Sequence, residues 1–205
     1  MNTASMSDLA VRLACRYAEG HAKAPPQLWI DPRIHAIPAF TPASVLVAVT
    51  DRPDPGLLLI HRPETMRAHP GQIAFPGGRR EPGEDAITAA LREAEEELGI
   101  PPEVVRIIGP SDLYRTGSGY EITPVIALMP PDLTLRPNPG EVASWFEAPL
   151  AYVLDPANQQ VCEIEVEGVR HQFIEITWQS HRIWGVTAAI LANLARRLDW
   201  VNGDD

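Results

Sequence analysis

The segment 78–100 reads GRREPGEDAITAALREAEEELGI. It predicts an α-helix from about Glu84 to Leu98, because a Pro-Gly turn precedes the apolar repeat and Gly99 is a natural C-terminal cap. The apolar residues of this helix share one arc, and they are Ile87, Ala90, Leu91, Ala94 and Leu98. We therefore expect one face of the helix to pack into a hydrophobic core.

Three carboxylates lie beside that apolar face. On a helix, Glu93, Glu96 and Glu97 fall within an arc of about 100°. Like charges at these spacings cost roughly 0.2–0.5 kcal/mol per pair in an isolated helix, so something should offset the repulsion. A hard divalent cation such as Mg²⁺ or Mn²⁺ is one explanation, because such ions prefer carboxylate oxygens to His or Cys. A solvated acidic face is the alternative, and for an acidic helix taken alone it is the commoner case.

Nine positions of this segment also match a spaced motif. The motif is G-x5-E-x7-R-E-U-x-E-E-x-G-U, with U aliphatic, and it is filled by Gly78, Glu84, Arg92, Glu93, Ala94, Glu96, Glu97, Gly99 and Ile100. The segment thus resembles the Nudix box, the signature of enzymes that hydrolyse a nucleoside diphosphate linked to another group. The resemblance implies the α/β class, as an α/β/α sandwich with a mixed central sheet and the box as loop, helix and loop.

The resemblance also implies roles for single residues. The box would hold one or more Mg²⁺ or Mn²⁺ ions, and the implied ligands are Glu93, Glu96, Glu97 and the Gly78 carbonyl. Arg92 would orient the neighbouring carboxylates. Glu141 follows a Pro-Gly pair in a loop of the kind that supplies a last metal ligand or a base in some relatives, and an exposed turn carboxylate is the alternative. The base is Glu93 or Glu141, or else a metal-bound hydroxide needs no base, and the sequence does not choose among these alternatives.

A second block lies directly upstream, where residues 58–78 read LLIHRPETMRAHPGQIAFPGG. It resembles the pattern L-L-x-x-R-[SA]-x3-R-x3-G-x3-F-P-G-G of the coenzyme A pyrophosphatase branch, with Pro63 in place of Ser or Ala. The resemblance implies that substrate is bound by His61, Arg62, Arg67, Gly77, Gly78 and, further along the chain, Tyr120. From the residues alone, arginines just before a Gly-Gly turn suit phosphate oxygens. A salt bridge or a solvated loop is the alternative for the arginines, and a bystander role is the alternative for His61 and Tyr120.

The implied reaction is metal-assisted hydrolysis of the pyrophosphate in coenzyme A, or in a derivative, to 3′-phospho-AMP and 4′-phosphopantetheine or its acyl form. A sister enzyme that acts on ADP-ribose or NADH would keep the box but should lack the upstream arginines. A non-catalytic binding module of the same fold would be expected to have lost a box glutamate, and none is lost.

Composition limits the partners and the compartment. A formal net charge of -10 argues against nucleic acid binding, which requires a basic surface. No apolar run approaches a membrane span, and Met1 to Asp8 lack the regions of a signal peptide. Two distant cysteines, Cys15 and Cys162, favour a reducing compartment, so we expect a cytoplasmic enzyme with a small-molecule substrate. Many relatives are dimers, which leaves a homodimer open.

The remaining pattern predicts strands interleaved with helices in one domain, 1–205, with a helix and connector in 1–40 packed on or flanking it. The predicted strands cover about 44–50, 57–62, 72–75, 105–113, 120–129 and 142–146, with a hairpin of 162–166 and 169–178. The other predicted helices cover about 8–20, 150–154 and 183–198.

Overall fold

The computed structural model describes residues 7–24, 26–66, 69–166 and 168–201. Its α-helices are α1 (Asp8–Ala22), α2 (Ala86–Leu98), α3 (Leu150–Val153) and α4 (Val186–Leu198). Its strands are β1 (Thr41–Thr50), β2 (Gly56–His61), β3 (Ile73–Ala74), β4 (Gly77–Arg79), β5 (Arg106–Pro110), β6 (Tyr114–Arg115), β7 (Tyr120–Met129), β8 (Ser144–Pro149), β9 (Gln160–Val166), β10 (Val169–Trp178) and β11 (His181–Trp184). Among these described helices, none combines the length and the hydropathy of a membrane span.

A mixed sheet forms the centre of the molecule and contains eight strands within the described ranges. Its main path is β3-β2-β1-β7-β5, with β4 beside β1, β6 beside β7 and β8 beside β2. Strands β1 and β7 run parallel over their whole length, and the other pairings are antiparallel. Strand β1 changes its second neighbour along its length, from β4 near Val45 to β2 near Val49. The predicted mixed central sheet is confirmed.

Two apolar clusters lie on opposite faces of this sheet. Along β2, Leu57 and Leu59 belong to the cluster that contains α1 and α4, whereas Leu58 and Ile60 belong to the cluster that contains α2. The four side chains are fully buried, as expected for a strand whose successive side chains point to opposite faces. Helices therefore cover both faces, which confirms the α/β/α sandwich.

A smaller sheet of β9, β10 and β11 adjoins the cluster around α4 through Ile174 and Ile176. The sequence prediction that one helix runs from 183 to 198 is wrong at its start, because Ile183 is a buried residue of β11. Gly185, with φ at 65°, separates that strand from α4. An apolar run alone did not show this boundary, since the Ile183 side chain fits the periodicity of the helix that follows.

Candidate active site

Helix α2 holds the box carboxylates against the sheet. The Asp85 side chain caps its start by accepting a hydrogen bond from Thr88 N at 2.8 Å, and Gly99 is its C-cap. The apolar face packs against the sheet through Ala90 and Leu98, both 0% exposed. This packing fixes the rotation of the helix, so that the face carrying its acidic residues adjoins the core.

Glu97 is the buried carboxyl group of this helix, with only 3% of the residue exposed. It accepts a hydrogen bond from Gly77 N at 3.0 Å. Burial and the neighbouring charges of Glu93 and Glu141 raise the pKa of Glu97 to about 8, although the Gly77 N–H and the Arg62 guanidinium act in the opposite direction. Carboxyl groups that raise one another's pKa favour a bound cation, because a cation offsets both burial and repulsion.

Arg92 joins the helix to the loop before it. Its Nη1 atom donates to Glu93 Oε1 and to Glu96 Oε2, both at 3.0 Å. Its Nε atom donates to Glu84 Oε1 at 2.9 Å, and this bond lowers the pKa of Glu84. Helix α2 begins at Ala86, two residues later than the sequence pattern predicted. Glu84 thus lies in the loop before the helix, where its carboxylate contacts Arg92. The structure brings Arg92 together with the carboxylates that it is expected to orient.

A cleft of about 520 Å³ opens beside these residues, within the usual volume range of small-molecule sites. The predicted site residues on its lining are Arg62, Gly77, Gly78, Glu93, Glu97, Tyr120 and Glu141. The Glu96 side chain, 54% exposed, is held next to them by Arg92. A wider groove of about 810 Å³ lies between the connector and the small sheet, but none of the predicted site residues lines it. The smaller cleft is therefore the candidate active site.

Arg62 follows β2 directly, and the charge of its guanidinium lowers the pKa of Glu97. Its Nε atom is buried without a hydrogen-bond partner. Within the described ranges, no carboxylate forms an ion pair with Arg62. An arginine that lines a cleft without such a partner is suited to an anionic ligand. Arg67, its predicted companion, lies outside the described residues.

His61 lies on the other face of β2 and does not line the cleft. Its Nε2 atom is 3.0 Å from His181 Nδ1, and the His181 ring stacks on Phe146 with 3.7 Å between ring centroids. Burial and the charge of His181 lower the pKa of His61. The structure thus places Arg62 on the cleft, and places its sequence neighbour His61, the last residue of β2, in a separate cluster with His181 and Phe146.

Several lining residues were not predicted as part of a site. One wall is apolar and consists of Val45, Met66, Ile73, Phe75, Ile122, Val186 and Ile190. Another is polar and contains Thr116 and Ser118. The apolar residues follow the same periodicity as the core, so a pattern of hydropathy could not distinguish a cleft wall from the interior.

The oxygen-only donor set suits a hard divalent cation. A Cβ atom built at Gly78 would collide with the Glu93 carboxylate, so glycine allows that carboxylate to reach the β4 backbone. As placed, however, no three His, Cys, Asp or Glu side chains of the described part of the chain converge as a metal site. Glu93 and Glu96 instead share the Arg92 guanidinium. Joint coordination by the box carboxylates therefore requires side-chain rearrangement.

Comparison with known proteins identifies close relatives. The chain is 41% identical over 157 residues to a protein of Photorhabdus laumondii named uncharacterized Nudix hydrolase NudL, a match that covers 76% of this chain and 84% of the relative. It is 43% identical over 158 residues to the protein of the same name from Cronobacter sakazakii, covering 76% and 82% of the two chains.

A crystal structure of a Nudix hydrolase from M. smegmatis, RenU, aligns with a TM-score of 0.47 and 26% identity over 55% of this chain and 72% of that one. The family model of the NUDIX domain matches residues 40–171, which include the box, Arg62 and Glu141. With this match and with relatives above 40% identity over three quarters of its length, the chain belongs to the Nudix hydrolase family.

Proposed function

We propose that this Nudix hydrolase cleaves the pyrophosphate of coenzyme A, or of a coenzyme A derivative, to 3′-phospho-AMP and 4′-phosphopantetheine or its acyl form. The observation that carries the proposal is the position of Arg62, the first arginine of the upstream block. It lines the same cleft as Glu93 and Glu97 and has no carboxylate partner there among the described residues. Its free guanidinium is therefore available to a phosphate group of the substrate.

Divalent cations are the cofactors that this site would use, as enzymes of this family generally do. Mg²⁺ or Mn²⁺ would be held by carboxylates of Glu93, Glu96 and Glu97 and by the Gly78 carbonyl. A bound ion of this kind neutralises phosphate charge and lowers the pKa of a water molecule. Arg92 would position Glu93 and Glu96 and would give up part of its present contact with them when they bind the ion.

Water attacks one phosphorus atom in the proposed reaction, so that one P–O bond forms and the bridging P–O bond breaks. Glu93 and Glu141 both line the cleft and both raise the pKa of Glu97 by their charge. Either can receive the proton of the attacking water, and the two remain the candidate bases. Asn138 Nδ2 donates to Glu141 Oε2 at 3.3 Å, which restrains that carboxylate in its loop.

Substrate contacts follow from the two walls of the cleft. Gly77 and Gly78 bring backbone close to the phosphates, and Tyr120 with the neighbouring hydroxyl groups offers a polar wall. The apolar wall has room for the pantetheine arm, which is mostly uncharged. Arg67 keeps its predicted role as a second phosphate contact. His61 is not among the proposed contacts, because it does not line the cleft.

The alternative functions are hydrolysis of ADP-ribose or NADH, and ligand binding without catalysis. Mass spectrometry of the products from a panel of coenzyme A, acetyl coenzyme A, ADP-ribose and NADH, each with Mg²⁺ and with Mn²⁺, separates the three. The proposal expects 3′-phospho-AMP from the coenzyme A compounds at the highest rate. Faster cleavage of ADP-ribose or NADH would contradict it, and so would intact substrates throughout. A cytoplasmic location and a homodimer stay predictions.

A further inference from the structure

The turn from Thr116 to Tyr120 builds the polar wall of the cleft. It is closed by its own hydrogen bonds, since Gly119 N donates to Thr116 O at 3.0 Å and Tyr120 N donates to Thr116 Oγ1 at 3.0 Å. The hydroxyl groups of Thr116 and Ser118 lie 2.9 Å apart. These bonds define the shape of the turn, and Thr41 N attaches its end to β1 by donating a hydrogen bond to Gly119 O at 2.8 Å.

One buried carboxylate from a distant part of the chain attaches the middle of the turn, at Gly117. Asp31 Oδ2 accepts a hydrogen bond from Gly117 N at 2.7 Å, across 86 positions of sequence. Asp31 is only 6% exposed, and it also accepts from Arg33 N at 3.0 Å, Arg33 Nε at 2.9 Å and Arg33 Nη2 at 2.7 Å. Four donors therefore hold a buried charge in one position, which makes Asp31 a rigid anchor for the turn.

The same turn is linked to the catalytic helix on its other side. Tyr120 Oη accepts a hydrogen bond from Arg79 Nη2 at 2.7 Å. The carbonyl of Arg79 accepts from Arg92 Nη2 at 3.0 Å, and Arg92 in turn contacts the carboxylates of α2. Hydrogen bonds, together with the covalent chain of the turn and of Arg79, thus connect Asp31 through the wall of the cleft to the box.

We propose that Asp31 is a positioning residue for substrate binding. It acts through Gly117, holding Thr116, Ser118 and Tyr120 at the distance from the carboxylates that the substrate requires. Asp31 precedes residues 40–171, the part matched by the family model, so this chain supplies the anchor from outside the matched region. The inference rests on the proposed function only in treating the cleft as the substrate site, and it does not depend on which diphosphate is the substrate.

The chain contains a matched control for this proposal. Asp155 also precedes a proline, caps a short 3₁₀ helix and accepts a hydrogen bond from the backbone N–H two residues later, at 2.9 Å. Asp31 does the same for the 3₁₀ helix Pro32–Ala36. Asp155 lacks the bond to the turn and does not line the cleft. Replacing either residue by Ala removes a similar cap, whereas only Asp31→Ala also removes the ion pair with Arg33 and the bond to Gly117 N that holds the wall.

The test combines amide hydrogen exchange with kinetics on full-length Asp31→Ala, Asp31→Asn and Asp155→Ala. Without substrate, we expect amides of residues 115–121 to exchange about tenfold faster or more in Asp31→Ala, as loss of a charge-assisted bond predicts, and at the wild-type rate in Asp155→Ala. With the diphosphate that wild type cleaves fastest, KM should rise about fivefold to tenfold in Asp31→Ala while kcat stays within about twofold. Asp31→Asn, which keeps an acceptor oxygen, should recover part of both effects.

Unchanged exchange in Asp31→Ala would overturn the proposal, and so would faster exchange with an unchanged KM. Equal effects of Asp31→Ala and Asp155→Ala would also overturn it, because the cause would then be the loss of a cap. If Asp31→Ala does not fold, Asp31→Asn carries the same comparison. The exchange measurement uses no substrate, so a failure of the coenzyme A assignment would leave its outcome unaffected.

Discussion

Helices α2 and α4 are each 13 residues long, but they are used in different ways. In α2, one face is buried and the adjoining face carries Glu93, Glu96 and Glu97 to the cleft. In α4, 11 residues are buried, including Asn193 and Arg197, and only its first turns reach the cleft, through the apolar wall. Helix α2 thus leaves one face less buried and presents carboxylates there, whereas α4 is mostly buried and contributes chiefly to the hydrophobic core.

The largest effect is expected from removing charge on the acidic face of α2. Glu97→Gln should lower kcat by about a hundredfold or more, because metal-ion catalysis supplies several kcal/mol and each 1.36 kcal/mol is worth tenfold. Glu95→Gln is the control, since Glu95 is exposed on another side of the same helix. Steady-state rates with Mg²⁺ measure both, and full turnover by Glu97→Gln would exclude a catalytic role.

The same variant should be more stable than wild type in alkaline solution without metal. The folded-state pKa of Glu97 is raised to about 8, above its ordinary value, so its contribution to stability is complete in acid and is lost as pH rises toward 8. Glu97→Gln cannot charge and should escape this loss. Melting curves between pH 5 and pH 9 in chelator measure the difference, which would be absent if the carboxyl group were solvated.

A core substitution in α4 should lower stability and leave kcat almost unchanged, which is the opposite of the effect expected for Glu97→Gln. Leu191 is 0% exposed, and Leu191→Ala should lower the free energy of unfolding by about 2–5 kcal/mol with little change in kcat of the folded enzyme. The matched substitution in α2 is Leu91→Ala, whose side chain is only partly buried and should cost less. Urea unfolding curves give both values. A larger cost for Leu91→Ala would reverse the contrast between the two helices.

Metal binding should stabilise the protein mainly through the carboxylates of α2. Mg²⁺ or Mn²⁺ at a hundredfold excess over Kd should add about 2.7 kcal/mol, and Glu93→Gln should reduce this gain while Leu191→Ala keeps it. Thermal melting with and without metal is the measurement. An equal gain in wild type and Glu93→Gln would place the ion elsewhere.

The smallest effect concerns the histidine pair behind β2. The pKa of His61 is lowered by burial and by the charge of His181, so the neutral form is favoured in the fold. Its contribution to stability is present above the ordinary His pKa of about 6.5 and is lost as pH falls below it. His61→Gln should reduce this fall in Tm at acid pH, whereas the exposed His35→Gln should not. Identical acid profiles in all three proteins would show that the pair does not titrate.

The sequence predicted the acidic face of α2 well, because the period of a helix fixes which side chains are neighbours. It grouped Arg62 with His61, whereas the structure places Arg62 but not His61 on the lining of the candidate active site, because the direction of each side chain depends on tertiary structure at the end of β2. The anchor between Asp31 and Gly117 was not predictable, because a bond from a side chain to a backbone N–H leaves no periodic signal over that separation. The start of α4 was missed because Ile183 fits both the strand and the helix pattern.

Arg62 offers the most direct test of the account, through kcat/KM for coenzyme A and for dephospho-coenzyme A, which lacks the 3′-phosphate. Wild type should prefer coenzyme A, since one charge-assisted hydrogen bond is worth about 1.5–3 kcal/mol, or roughly tenfold to a hundredfold and more. Arg62→Ala, or Arg67→Ala, should erode that preference by slowing coenzyme A cleavage more, and Arg106→Ala, an exposed arginine that does not line the cleft, should leave it unchanged. Equal rates of wild type on both substrates, with no loss in Arg62→Ala or Arg67→Ala, would contradict the assignment.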